Sequence, residues 1–137
     1  MAAGAIAWTL GSTAGPAYGP HLPGGCSTCR GIVTVNATAR TYTKTADYFF
    51  MGQFSRFLAR NATVLATSGN YDYGSGAKIE STAVADADGS RTVVVQNGFG
   101  NDVFLTIAFK GGETWSGPLY RQSLTTWVLP PPSSSSS

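Results

Sequence analysis

The sequence predicts an all-β fold, mainly an antiparallel β-sandwich, carrying one amphipathic helix. Three observations predict it. From residue 63 onward, apolar and polar residues alternate with period two in short runs separated by Gly, Asn and Asp turns. Charged residues make up 12% of the chain, against about 25% in typical soluble domains, while 17 residues are Gly and 12% are aromatic. One stretch alone, residues 45–58, spaces its apolar side chains for a helix. At 137 residues the chain can enclose one core and is too short for two.

Residues 5–10 read as a short buried strand with Trp8 near its end. Residues 11–30 are dense in Gly, Pro and Ser and read as a long loop, of the kind that carries function or bridges two parts of a larger fold. Residues 31–35, Gly-Ile-Val-Thr-Val, form a β-branched strand. In the helix, Thr45 is placed to cap the N-terminus and Asp47 suits the positive end of the dipole. Phe50, Phe54, Phe57 and Leu58 make an apolar stripe with Met51 beside it, expected to pack as core. Gly52 within that helix costs about 1 kcal/mol relative to Ala, which is expected to let another backbone approach closely. Strands follow at 63–67, 78–85, 91–96, 102–109 and 119–129. They are joined by the loop 68–76, the turn Asp86-Ala87-Asp88-Gly89, the connection 97–101 and Gly111-Gly112. Val103, Leu105, Ile107 and Phe109 share one strand face, and Trp127 in the last strand is expected in the core. The tail, residues 130–137, is Pro and Ser only and is expected to be disordered or the start of a linker.

The net charge is +2, and the nine basic residues are scattered singly between Arg30 and Arg121, which argues against nucleic acid or an anionic membrane as partner. No run approaches the roughly 20 apolar residues of a membrane span. The N-terminal apolar run lacks the basic residues of a secretory signal, so no signal peptide is expected within this chain. Cys26 and Cys29 form a CxxC pair. Zinc needs four ligands, and the chain offers these thiols and one histidine, His21. A thioredoxin-type motif should open a helix, whereas Pro23, Gly24 and Gly25 make this a loop. A short structural disulfide fits best. It agrees with two N-glycosylation sequons, at Asn36 and Asn61, in placing the protein outside the cell.

The acids are Asp47, Asp72, Glu80, Asp86, Asp88, Asp102 and Glu113. Asp86 and Asp88 belong to a turn, Asp47 to a helix start, and Glu80 pairs along its strand with Lys78. No two are marked as the opposed carboxyl groups that glycoside hydrolysis needs. His21 stands in a Pro-rich loop, Gly74-Ser75-Gly76 is a flexible turn rather than a nucleophile elbow, and no phosphate loop opens a helix. Catalytic, metal and cofactor residues are therefore all read as none. Sugar contact is the remaining chemistry, with Trp8, Trp115, Trp127 and the loop residues Tyr71 and Tyr73 as aromatic candidates.

Four segments in order carry a family resemblance. Trp8-Thr9-Leu10, then Tyr18-Gly19-Pro20-His21 and Gly25-Cys26-Ser27-Thr28-Cys29-Arg30-Gly31-Ile32-Val33, resemble the end of the catalytic barrel in glycoside hydrolase family 30. Members related to β-1,6-glucanases carry a similar GGCxxCRGxV segment. Tyr48-Phe49-Phe50-Met51-Gly52-Gln53-Phe54-Ser55-Arg56-Phe57 is similar to the family's YYxLGHFSKF helix. Asp88-Gly89-Ser90 through Asn97 resembles its DGS…VVVxxN hairpin, and Gln122-Ser123-Leu124-Thr125-Thr126-Trp127 its closing SxxTxxW strand.

The resemblance implies a retaining β-glycosidase whose (β/α)8 barrel is flanked by a β-structure built largely from the C-terminal segment. Both catalytic glutamates lie on barrel strands upstream of everything in this chain, and a barrel needs more than about 200 residues. Residues 1–30 are then the remnant of the last barrel strand and its following loop, and 31–129 the β-sandwich region. Trp8 matches a residue lining the family's sugar subsite, and His21 in the loop that follows is the second substrate-binding candidate. The implied function is the C-terminal β-region of a secreted enzyme acting on glucosylceramide or β-1,6-glucan, inactive alone. Its partner is a β-linked glycan or glycolipid, met through the parent enzyme. A free-standing, non-catalytic carbohydrate-binding β-domain is the alternative. Deprived of barrel neighbours, residues 1–24 are expected to be poorly ordered or to mediate self-association, while 31–129 behaves as a folded unit.

Overall fold

The computed structural model describes residues 9–13 and 30–132. The chain divides into two compact units, one ending at Gly52 and the other beginning at Gln53.

The first unit holds a three-stranded sheet of β1 (Gly11–Thr13), β2 (Val33–Asn36) and β3 (Thr41–Lys44), in that order. β1 runs parallel to β2, pairing Gly11 with Val33 and Thr13 with Val35, and β3 returns antiparallel. Gly31 is the reason the strands can begin so close together. A Cβ there would stand 2.6 Å from the Ser12 backbone nitrogen, so only Gly fits. The Gly31 N–H donates to the buried Ser12 hydroxyl at 2.8 Å. Two expectations change here. Residues 11–13 were expected within the long loop, yet a partner ladder makes them a strand. The Thr-Tyr-Thr-Lys stretch of β3 alternates like a strand and was not singled out. Most of the expected strand at 5–10 lies outside the described residues.

The helix α1 spans Ala46–Ser55, shorter than the expected 45–58. Thr45 does not cap it with its side chain. Its hydroxyl instead donates to the carbonyls of Gly31 and Ile32, at 3.2 and 2.7 Å, and so pins the helix start to the residues leading into β2. Asp47 accepts from Arg30 Nε at 2.9 Å. The expected core stripe is not core: no residue of α1 is fully buried, and Phe49 is 59% exposed. Nor is there a close backbone approach at Gly52, where no described atom comes within 4 Å of a Cβ position.

The second unit is a sandwich. Its larger sheet has the order β10 (Ser123–Leu129), β7 (Arg91–Asn97), β6 (Lys78–Ala85), β4 (Thr63–Leu65), with β5 (Tyr71–Asp72) also on β6. Its smaller sheet pairs β8 (Val103–Ala108) with β9 (Thr114–Leu119). All these pairings are antiparallel. The core between the sheets is Ala83, Val93, Val95, Leu119 and Leu129, flanked by half-buried Leu105, Ile107 and Trp127. β8 shows the expected alternation, while β7 is buried on both faces because it is central. On the outer face of β7 and β10, Thr92 and Thr126 donate to Phe57 and Gln53, so residues 53–57 cover the sheet. The expected strand at 119–129 is β10, shortened to begin at Ser123 after a turn at Tyr120–Gln122 with Gln122 at positive φ, and β9 before that turn was not expected. Gly117 and Pro118 hid β9. Pro118 lacks an N–H and is tolerated because its sheet has only two strands.

One buried cation joins both sheets. Arg91 begins β7 with a side chain only 6% exposed, and it grips Glu113 with two hydrogen bonds of 2.5 and 3.0 Å. It also donates to the Pro130 carbonyl and lies 4.3 Å from the Phe109 ring centre. Trp115 Nε1 donates to the same Glu113 carboxylate at 2.7 Å. Arg91, then Trp115, hold the Glu113 carboxyl below the usual carboxylate range. Removing Arg91 should be costly, because its partner would stay half-buried without a counter-charge. Arg91→Ala is expected to lower the midpoint of urea unfolding. The acid dependence follows from the depressed Glu113 value. Its contribution is complete above the unfolded value of about 4.3 and is lost as pH falls through the lower folded value. The stability advantage of the natural chain over Glu113→Gln should therefore hold steady from neutrality to about pH 5 and shrink below about pH 4, read in melts across that range.

Candidate functional site

Each of the chain's seven carboxylates is engaged by a structural neighbour. Asp47 meets Arg30, Glu80 meets Lys78 at 2.7 Å, and Glu113 meets Arg91. Asp72 accepts the Gly74 N–H, Asp102 accepts the Arg121 N–H, and Asp86 and Asp88 accept from Ser90. Hydrogen bonds from the Ser90 hydroxyl and backbone push Asp88 down. The hydrogen bond to Glu80 raises Lys78. These shifts favour the charged forms, the opposite of the raised carboxyl that a general acid uses near neutrality. Among the described residues, no three His, Cys, Asp or Glu side chains gather as metal ligands. No described helix is long and apolar enough to cross a membrane.

The structure does bring aromatic side chains together at one end of the sandwich. β5 holds Tyr71 opposite Ile79 and Asp72 opposite Lys78. The chain then turns tightly through Gly74, Ser75 and Gly76, all at positive φ. Tyr73 N–H donates to Ala77 O, and Ala77 N–H to Gly74 O, each at 3.0 Å. Asn70 Oδ1 accepts from both the backbone and the hydroxyl of Ser81. Gly98 presses on this turn from below: a Cβ there would stand 2.2 Å from Gly76 O. The loop 68–76, expected to be irregular, is thus a braced hairpin arm.

On this arm the Tyr71 and Tyr73 rings meet edge to face, centres 4.5 Å apart and planes at 81°. Phe99 completes the corner, 5.7 Å from Tyr73 at 84°. Tyr71 is 49% exposed and Tyr73 69%. A hydrogen bond involving the Tyr73 side chain pushes the Tyr71 phenol up from its ordinary value. Phe99 was missed in the sequence, where residues 97–101 read only as a tight connection. The Asn97 side chain orders that connection, accepting from Phe99 N–H and donating to the carbonyls of Asn101, Leu119 and Tyr120.

The other candidates fall elsewhere. Trp8, His21, Cys26 and Cys29 lie outside the described residues. Trp115 is tied to Glu113, and Trp127 packs on Gly117, whose Cβ position is 3.0 Å from the indole. Both are structural. The sequon residues Asn36 and Asn61 are exposed in their separate units, Asn36 at the end of β2 and Asn61 in a turn at positive φ. Between the two sheets runs an apolar groove of about 530 Å³, lined among others by Leu65, Ile79, Val95, Leu105 and Phe109. Through the Tyr71–Ile79 pair the aromatic corner stands at the edge of that groove.

Comparison with known proteins agrees with the resemblance read from the sequence. The chain is 48% identical over 132 residues to an endo-1,6-β-D-glucanase of Neurospora crassa, spanning 94% of this chain and 27% of that protein. It is 51% identical over 130 residues to the endo-1,6-β-D-glucanase neg1 of Aspergillus fumigatus, spanning 94% of this chain and 26% of that protein. A Trichoderma harzianum endo-1,6-β-D-glucanase, BGN16.3, is 47% identical over 130 residues. The chain thus corresponds to the C-terminal quarter or so of these relatives. Among solved structures, the endo-β1,6-glucanase BT3312 superposes with a TM-score of 0.71 at 24% identity, over 90% of this chain and 26% of that one. That likeness shows a shared fold. No family model matches the chain.

The bracing of the corner by Gly98 is open to test. Gly98→Ala should cost about 1–3 kcal/mol through overpacking and speed proteolytic cleavage within 70–77. Gly100→Ala, where no described atom lies within 4 Å of the new methyl, should change neither.

Proposed function

We propose that this chain is the C-terminal β-region of a secreted retaining β-glycosidase of glycoside hydrolase family 30, acting on β-1,6-linked glucan, and that it hydrolyses nothing alone. The observation that carries this reading is the match itself: close to half identity along 94% of this chain, yet only 26–27% of each glucanase. The structure supports it from the chemical side, since all seven carboxylates have structural partners and those with lowered values are held as anions. It supports it from the physical side too. A two-stranded sheet facing a larger one leaves an apolar groove and half-exposed helix aromatics that a longer chain would cover. In this reading residues 1–30 are the end of the parent barrel, and the glucan is preferred over glucosylceramide because the relatives are glucanases.

Two experiments test the proposal. The purified chain should release no sugar from β-1,6-glucan. Grafted in place of the C-terminal quarter of the Neurospora enzyme, it should give a folded chimera that hydrolyses that glucan. Turnover by the isolated chain that vanishes when one of its own carboxylates is replaced, or a folded but inactive chimera, would overturn the reading. The secreted setting makes Asn36 and Asn61 glycan acceptors. Produced through a eukaryotic secretory pathway, the chain should lose one glycan mass in Asn36→Gln and another in Asn61→Gln; a protein of unmodified mass contradicts the assignment. The alternative, a free-standing carbohydrate-binding domain, is favoured by one observation, the exposed Tyr71–Tyr73 pair.

A further inference from the structure

Tyr73 is the most exposed of the clustered aromatic rings, and its setting is unusual for surface decoration. If the cluster merely closed the end of the core, Tyr73 would be the ring to bury, yet it is 69% exposed. The backbone beneath it is held on both sides of the turn, by Ala77 O, by Asp72 Oδ1 on Gly74 N–H, and by the near-contact of Gly98 with Gly76. A ring held this way loses little entropy on meeting a ligand. Tyrosine also offers a rigid, amphipathic contact at low conformational cost.

The ligand that fits such a surface has an apolar face and a polar rim. A hexopyranose has both: axial C–H groups stack on an aromatic ring while hydroxyls reach to the side. The phenolic hydroxyls of Tyr71 and Tyr73 themselves carry donors and acceptors to the rim of the corner. The angle between rings narrows the choice. Flat, ribbon-like glycans stack on coplanar rings, but here adjacent rings stand at 81° and 84°. A 1,6-linkage adds one rotatable bond between sugars, so neighbouring residues can present their faces at steep angles. Such a chain can turn through the corner.

We propose that Tyr71, Tyr73 and Phe99 form a contact site for adjacent glucosyl units of β-1,6-linked glucan, with Tyr73 the principal stacking ring. The linkage of the ligand rests on the glucanase reading above; the site rests on the geometry. Binding there holds the polymer on the β-region and involves no bond making or breaking.

Native electrophoresis of the purified chain through gels cast with soluble β-1,6-glucan, β-1,3-glucan or dextran tests the site. Retardation is expected in β-1,6-glucan alone. Tyr73→Ala should weaken apparent affinity roughly tenfold, Tyr73→Phe should retain it, and circular dichroism should show both folded. As a check that needs no variant, ring-proton signals of Tyr71 and Tyr73 should shift on titration with β-1,6-linked gluco-oligosaccharides. A folded chain that migrates freely, retardation unchanged by Tyr73→Ala, equal retardation in β-1,3-glucan, or oligosaccharide shifts that spare both tyrosines would each overturn the proposal. An active chimera without retardation sinks this site alone. Retardation beside an inactive chimera sinks the accessory-region reading and leaves the site standing.

Discussion

The sandwich depends on the burial of one guanidinium group. Arg91 stands at the start of the central strand, and its side chain reaches three places that the chain visits far apart: Glu113 before β9, Pro130 after β10, and the Phe109 ring after β8. The two sheets share no backbone ladder. Apolar packing presses them together, yet such packing is non-directional and tolerates sliding. The planar fork on Glu113 is directional and admits one register. Desolvation makes such a group expensive, and Arg91 Nε finds no acceptor among the described residues. Its contribution is therefore better understood as choosing one arrangement of the sheets than as added stability.

The far end of the sandwich is ordered by a neutral group doing comparable work. Asn97 closes β7, and its amide reaches Asn101, Leu119 and Tyr120 while accepting from Phe99. The central strand thus carries a polar organiser at each end and an apolar stretch, Val93 to Val95, between them. Fixing Phe99 through Asn97, and Tyr73 through Gly98, delivers two aromatic rings to one place from connections far apart in sequence. Loops are ordinarily the mobile part of a β-fold. Here Tyr73 and Phe99 stand on braced connections, which suits a binding surface.

Much of the fold was legible because its signals are local. Period-two alternation marked β8, the turn at Gly89 marked the strands on either side by the positive φ it adopts, and the Phe spacing marked the helix. What escaped depends on partners distant in sequence. Gly11–Thr13 is a strand only because Val33–Val35 lies alongside, and Thr45 spends its hydroxyl on Gly31 and Ile32 rather than on its own helix. β9 was hidden by Gly117 and Pro118, residues that local propensity counts against a strand and an edge position permits. The aromatic corner was half legible. Tyr71 and Tyr73 stood out in a Gly-rich loop, whereas Phe99 could be added only once the β5–β6 pairing and Asn97 had brought its connection under Tyr73.

Composition and structure meet in how the chain spends its charge. With only seven acids, a β-domain has few carboxylates to spare, and here each is committed to a turn, a strand pair or the Arg91 centre. Hydrolysis needs two carboxyl groups held apart with opposed proton affinities, one kept protonated by burial. The environments here do the reverse, surrounding Asp88 and Glu113 with donors that favour the anion. What the domain leaves uncommitted is aromatic surface. Phe49, Tyr71, Tyr73 and Phe104 remain well exposed, as do Leu10, Tyr42 and Tyr120, while the sandwich buries Leu119 and Leu129 between its sheets. A fold that commits its charge to architecture and leaves rings available suits the role proposed above, in which this region holds the polymer by its apolar faces and carboxylates elsewhere in a longer chain cleave it.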